Sequence, residues 1–191
     1  MIKKITLFIL LINLNVFAVE KASLGLNINP NDLEVEGRST LAFTNDNPTF
    51  RDFYINGNLI NSDETLFGLG FFVENSPTNY QNISFAIGLR TIYSNYGNDN
   101  FIAIPIMVGA KARMFLGDLP KSHLGFKFAY APSPLSFQDA SSYTEYRIEV
   151  DMSVIDNVNL YLGYRSINTN YKKTDLSYNS SAYLGFKFVI D

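Results

Sequence analysis

From Val158 to Arg165 the chain alternates without a break: Val158, Leu160, Leu162 and Tyr164 on one face, Asn159, Tyr161, Gly163 and Arg165 on the other. Successive side chains of a strand point to opposite faces, so this period reads as β-structure. The pattern recurs. Ala182, Leu184, Phe186 and Phe188 oppose Tyr183, Gly185 and Lys187. Thr144, Tyr146, Ile148, Val150 and Met152 oppose Glu145, Arg147, Glu149 and Asp151. Ile83, Phe85, Ile87 and Leu89 oppose Ser84, Ala86, Gly88 and Arg90. Ile102, Ile104, Ile106, Val108, Ala110 and Ala112 oppose Pro105, Gly109, Lys111 and Arg113.

Turn-rich clusters divide the chain into ten expected strands, at approximately 22–28, 33–43, 50–60, 65–73, 83–93, 101–115, 123–131, 143–154, 158–170 and 182–190. Most exceed the five or six residues typical of soluble strands and match the roughly 9–11 needed to cross a bilayer. An even strand number is the rule for bacterial barrels. Ten strands are expected, with eight from about residue 50 onward as the alternative. Pro105 lacks a ladder donor, and a local bulge is expected there.

The polar face decides which side meets lipid. In five strands a glycine is followed two residues later by a cation: Gly88/Arg90, Gly109/Lys111, Gly125/Lys127, Gly163/Arg165 and Gly185/Lys187. Glycine leaves room and a long cation fills it, which suits a narrow lumen. Arg90, Lys111, Arg113, Lys127, Arg165 and Lys187 form the expected basic belt. Glu145, Glu149 and Asp151 are the expected acidic partners, because buried charges must be paired. The fold class is therefore all-β, a transmembrane antiparallel up-and-down barrel with its apolar face in lipid. Outward Tyr93, Tyr130, Tyr146 and Tyr164 are expected near one rim, and Phe43 and Phe188 near the other. With the C-terminus in the periplasm, the 132–142 and 172–181 connections become long external loops, and 116–122 and 155–157 become periplasmic turns.

Residues 1–18 read as a signal peptide: basic Lys3 and Lys4, an apolar run over 5–17, and Val16-Phe17-Ala18 before the cleavage site. Residues 19–191 are the expected barrel, located in the cell outer membrane. Without Lys3 and Lys4 it holds 13 basic and 18 acidic residues, a net charge of −5. With no basic run and this negative balance, nucleic acid is not an expected partner. The 191 residues include no cysteine and one histidine, His123, which excludes disulfides, thiolate metal sites and multi-histidine metal sites. No metal or cofactor is expected.

The segments FKFAYAPSPLSFQDASSYTEYRIEV (126–150), VNLYLGYRSIN (158–168) and SAYLGFKFVI (181–190) resemble the YfaZ family of proteobacterial outer-membrane proteins. The resemblance implies a porin-like barrel with no established enzymatic activity. Expected partners are outer-membrane lipid and the outer-membrane assembly machinery. Phe188 is followed by Val189-Ile190-Asp191, a departure from the terminal aromatic usual in outer-membrane strands.

The functional expectation is a non-enzymatic barrel, structural or a narrow channel for small solutes. One alternative is surface adhesion through 132–142 and 172–181. The other is a lipid-active enzyme, for which His123 is the sole imidazole and lacks a serine among its same-face neighbours Gly125 and Lys127.

Overall fold

A computed structural model describes residues 19–41, 51–62, 65–77, 80, 82–96, 99–114, 120–172 and 175–190. The leader expected over 1–18, and Phe43, lie outside the described residues. Twelve strand segments are β1 (Val19–Ile28), β2 (Leu33–Leu41), β3 (Arg51–Asn61), β4 (Thr65–Asn75), β5 (Ile83–Tyr96), β6 (Asp99–Ala103), β7 (Ile106–Met114), β8 (Ser122–Ala131), β9 (Ser136–Gln138), β10 (Ala140–Ile155), β11 (Val158–Tyr171) and β12 (Asp175–Ile190). Each pairs antiparallel with its neighbours, β1 pairs with β12, and β4 pairs with β5. The sheet closes on itself. With β6 and β7 forming one barrel strand, and β9 prolonging β8, ten strands make up the wall.

The apolar face points out. Leu160, Leu162, Leu184 and Phe188 are 43%, 61%, 62% and 47% exposed, as are their counterparts Phe85, Ile87, Leu89, Phe126, Ile148 and Val150. The opposite face carries the buried charges Glu34, Arg90, Glu145, Arg147 and Arg165. A soluble barrel would reverse this distribution. Tyr93, Tyr130 and Tyr164 also face outward. The Tyr164 ring lies 6.0 Å from that of Tyr146.

Pro105 does not create a bulge in its own strand. Ile92 pairs with Ala103 and Leu89 with Ile106, one register on both sides of the break. The Arg90 N–H still donates to the Pro105 carbonyl at 3.1 Å. The irregularity falls on the other neighbour. There the chain leaves β8, makes a 3₁₀ turn over Ser133–Leu135, and returns as β9 beside β6. The donor that proline lacks is thus missing where the partner strand changes.

Both ends of the barrel sheet, the start of β1 and the finish of β12, lie at one end, here the terminal end. At the far end the connections 29–32, 62–64, 97–98 and 172–174 are short in sequence and 132–139 is longer; at the terminal end 42–50, 76–82 and 115–121 are longer and 156–157 is a two-residue turn. The turn expected at 155–157 is present at the terminal end, but long connections also fall there and most far-end ones are short, which corrects the rest of the expected loop asymmetry. Most of 172–181 is strand: Asn170 pairs with Asp175, Thr169 with Leu176 and Ser166 with Ser180. Its serines and asparagines read as a loop, but they continue the β11–β12 ladder. Segment 132–142 likewise holds a 3₁₀ turn, β9 and the start of β10.

A second departure is inside the far end. Ile60, Leu66, Ile92, Phe101, Ala103, Ala131, Tyr143, Ile167 and Tyr171 form a buried apolar cluster. Phe101 sits 5.3 Å from Tyr171 and 6.1 Å from Tyr143 between ring centroids. At this level the outward positions of β10 and β11 are Ser142, Thr144, Asn168 and Asn170, paired across the two strands. On β10 and β11 the pattern has inverted to polar outside and apolar inside, as water-exposed sheets require, while Phe67, Tyr93 and Phe137 keep an apolar exterior on β4, β5 and β9. Each large side chain buried there contributes about 1.5–3 kcal/mol.

Candidate functional site: a two-tier ionic lumen

Inward positions of β2, β5, β10 and β11 meet in the middle of the barrel. Glu34 is the hub. Arg147 donates to both its carboxylate oxygens, each at 2.8 Å. Arg165, Asn27 and Asn58 donate to it as well. Arg147 also reaches Glu145 at 2.5 Å, and Glu145 accepts from Arg90 at 3.0 Å and from the Tyr143 hydroxyl at 2.6 Å. Arg165 bridges to Asp32 at 2.6 Å. The three arginines and three acids of this upper tier balance in charge, and all their side chains are at most 4% exposed. Fork-shaped guanidinium–carboxylate pairing is the geometry that makes such burial tolerable.

β2 and β10 are separated in the sheet by β1, β12 and β11, and β5 lies on the other side of β10 beyond β7 and β8. The chain Arg90–Glu145–Arg147–Glu34 therefore crosses the lumen rather than running along its wall.

The lower tier, toward the terminal end, is more open. Lys187 pairs with Glu36 at 3.0 Å, Lys127 with Glu149 at 3.3 Å, Lys111 with Asp151 at 2.8 Å and Arg38 with Glu74 at 2.8 Å. His123 Nδ1 lies 2.7 Å from the other Asp151 oxygen. Arg113 pairs in register with His123 at the end of β7. A cavity of about 100 Å³ is lined by Arg38, Tyr54, Glu74, Lys111, Lys127 and Asp151 among others. A smaller one of about 60 Å³ lies against Glu34, Arg90 and Arg147.

The residues expected as one basic belt thus occupy two levels: Arg90 and Arg165 in the sealed upper tier, Lys111, Lys127 and Lys187 in the lower one, and Arg113 at the barrel end. Glu145 pairs with Arg90, Glu149 with Lys127 and Asp151 with Lys111. Sequence reasoning overlooked Asp32, Glu34, Glu36, Arg38 and Glu74. The signal was present in Leu33-Glu34-Val35-Glu36, where carboxylates alternate with apolar residues.

The glycine rule also changes. Room left by Gly163 and Gly185 is filled by rings from the neighbouring strand. Gly163 pairs with Tyr183, and Tyr161 with Gly185; an added Cβ would lie 2.4 Å and 2.5 Å from those rings. Phe72 covers its cross-strand partner Gly88 in the same way. Cations sit opposite glycine at four other pairs: Gly109 with Lys127, Lys111 with Gly125, Lys187 with Gly25 and Arg90 with Gly70.

No curated protein matches the chain. A solved structure titled KdgM porin is 9% identical, covering 90% of this chain and 99% of that chain at a TM-score of 0.45. A bacterial polysaccharide outer membrane secretin is 11% identical, covering 88% of this chain and 68% of that chain at a TM-score of 0.44. The closed sheet with its lipid-facing exterior is a β-barrel of the outer membrane. The family model described as YfaZ precursor matches residues 9–190, nearly the full length, and the chain belongs to the YfaZ family.

Proposed function

We propose that this porin-like barrel is non-enzymatic and closed at rest, a structural barrel or narrow passage whose charged lumen sets what enters it. The observation that carries the reading is the cross-lumen chain Arg90–Glu145–Arg147–Glu34, with every member buried. The apolar cluster at the far end adds a second obstruction. Small barrels of this size fill with their own side chains. Against catalysis, His123 is engaged by Asp151, whose second oxygen holds Lys111; no hydroxyl nucleophile is bonded to it among the described residues.

Planar-bilayer recording tests the closed state. The native barrel is expected to show no steady open steps. Glu34→Gln, which takes the hub charge from Arg147 and Arg165, is expected to produce stepwise openings. If small steps do occur in the native protein, Lys127→Glu and Lys187→Glu should shift their selectivity toward cations. Large, steady native conductance, or selectivity unmoved by both substitutions, contradicts the reading. The adhesion alternative would act through 132–142 and 172–181, and the compact strand structure of those segments gives it less surface than long loops would.

A further inference from the structure

We propose that the cavity at the terminal end binds a small oxyanionic solute, a phosphate or carboxylate, through Lys111, Lys127, Lys187 and Arg38. The argument is one of donors and acceptors. Every carboxylate oxygen lining the cavity is already engaged. Glu74 accepts from Arg38 and from Ser84, Glu149 from Lys127 and from Tyr183, and Asp151 contacts Lys111 and His123. The cations are not used up. An ammonium has three N–H donors, and among the described residues Lys111, Lys127 and Lys187 each give one to a carboxylate.

Exposure points the same way. In each of the four lower-tier pairs the cation is the more exposed partner: 42% for Lys111 against 19% for Asp151, and 37% for Lys127 against 14% for Glu149. The acids are the more buried partners, and all four cations line the open volume. Tyr54 and Tyr161 hold two of the cations in place, with Arg38 3.7 Å above the first ring and Lys187 5.2 Å from the second. Space is reserved as well. A Cβ at Gly125 would meet nothing nearer than the Glu149 carbonyl at 3.8 Å, so packing does not require glycine there. An anion with several acceptor oxygens matches a concave site lined by four cations, Arg38, Lys111, Lys127 and Lys187, against three carboxylates, Glu74, Glu149 and Asp151.

This goes beyond the closed-barrel reading, because the cavity exists whether or not the lumen conducts. The test uses the barrel in maltoside micelles, which contain no phosphate, titrated calorimetrically with inorganic phosphate at low ionic strength. Saturable binding is expected. It should weaken at least tenfold in Gly125→Leu, which fills the reserved space. It should also weaken severalfold in the double variant Lys111→Gln with Asp151→Asn, which removes a pair without stranding a charge. Circular dichroism and heat-modifiable gel migration establish that each variant is folded, and the double variant decides the matter if Gly125→Leu is not. Choline chloride should give no binding. Absence of phosphate binding, binding equal in the native protein and the folded variants, or preference for choline would each overturn the site. None of these outcomes depends on a bilayer recording, so the two proposals fail separately.

Discussion

Gly163 and Gly125 occupy equivalent inward positions, yet their neighbours make opposite demands. At Gly163 a new Cβ would lie 2.4 Å from Cζ of Tyr183, and that ring is held by its hydroxyl bond to Glu149 at 2.7 Å. Gly163→Ala is expected to destabilise the barrel by about 1–3 kcal/mol, as overpacking of a filled interior does. Gly125→Ala should stay within roughly 0.5 kcal/mol of the native protein, because nothing stands near the added methyl. Urea unfolding from lipid vesicles measures both, and equal effects would remove the distinction. The recurring glycine–cation pattern was legible in the sequence, and so was the need for paired charges. Its partner was not. A side chain over a glycine comes from the adjacent strand, and only strand register says which one.

For single elements, β11 carries the clearest division of faces. Leu162 is 61% exposed between Tyr161 and Gly163, which face the lumen. Leu162→Arg places a charge in the apolar band and is expected to cost about 2–4 kcal/mol at the bilayer midplane. The same urea titration reads it; an effect below about 0.5 kcal/mol would move that stretch of β11 out of the hydrocarbon. The strand positions themselves were readable wherever lipid enforces alternation. They were misread at 172–181, where the wall rises past the tyrosines. There the outward residues can be Ser, Thr or Asn, and polarity stops distinguishing strand from loop. Pairing of Thr169 and Asn170 with β12 keeps that segment extended.

On the scale of the whole molecule, the far end holds a core of soluble type and the terminal end an open charged cavity. On β10 and β11 an apolar interior lies beneath a polar exterior, an arrangement that suits water rather than lipid, so on that side the bilayer lies below that level. With an even number of strands both ends of the sheet share one side, which we assign to the periplasm. Membrane fractionation should place the protein in the outer membrane. A cysteine introduced at Asn31 should be labelled on intact cells by a membrane-impermeant maleimide, and one at Asp156 only after lysis. The opposite result would reverse the orientation and put the cavity on the cell surface. The shortness of the far-end connection between β11 and β12 also predicts resistance of intact cells to external protease at 172–174.

Period-two patterning alone determined that this chain makes long strands, and the lack of water in a bilayer determined that they must close into a cylinder with greasy residues outside. Composition likewise set that the cylinder's interior holds both signs of charge. Which cation meets which acid was decided by register and by the diameter of the closed sheet, since Glu34 and Arg147 are 113 positions apart. The division of the interior into an apolar cap, a sealed ionic lattice and an open basic cavity was also a tertiary outcome. It depends on how far each strand extends beyond the lipid, and no local run of residues encodes that height.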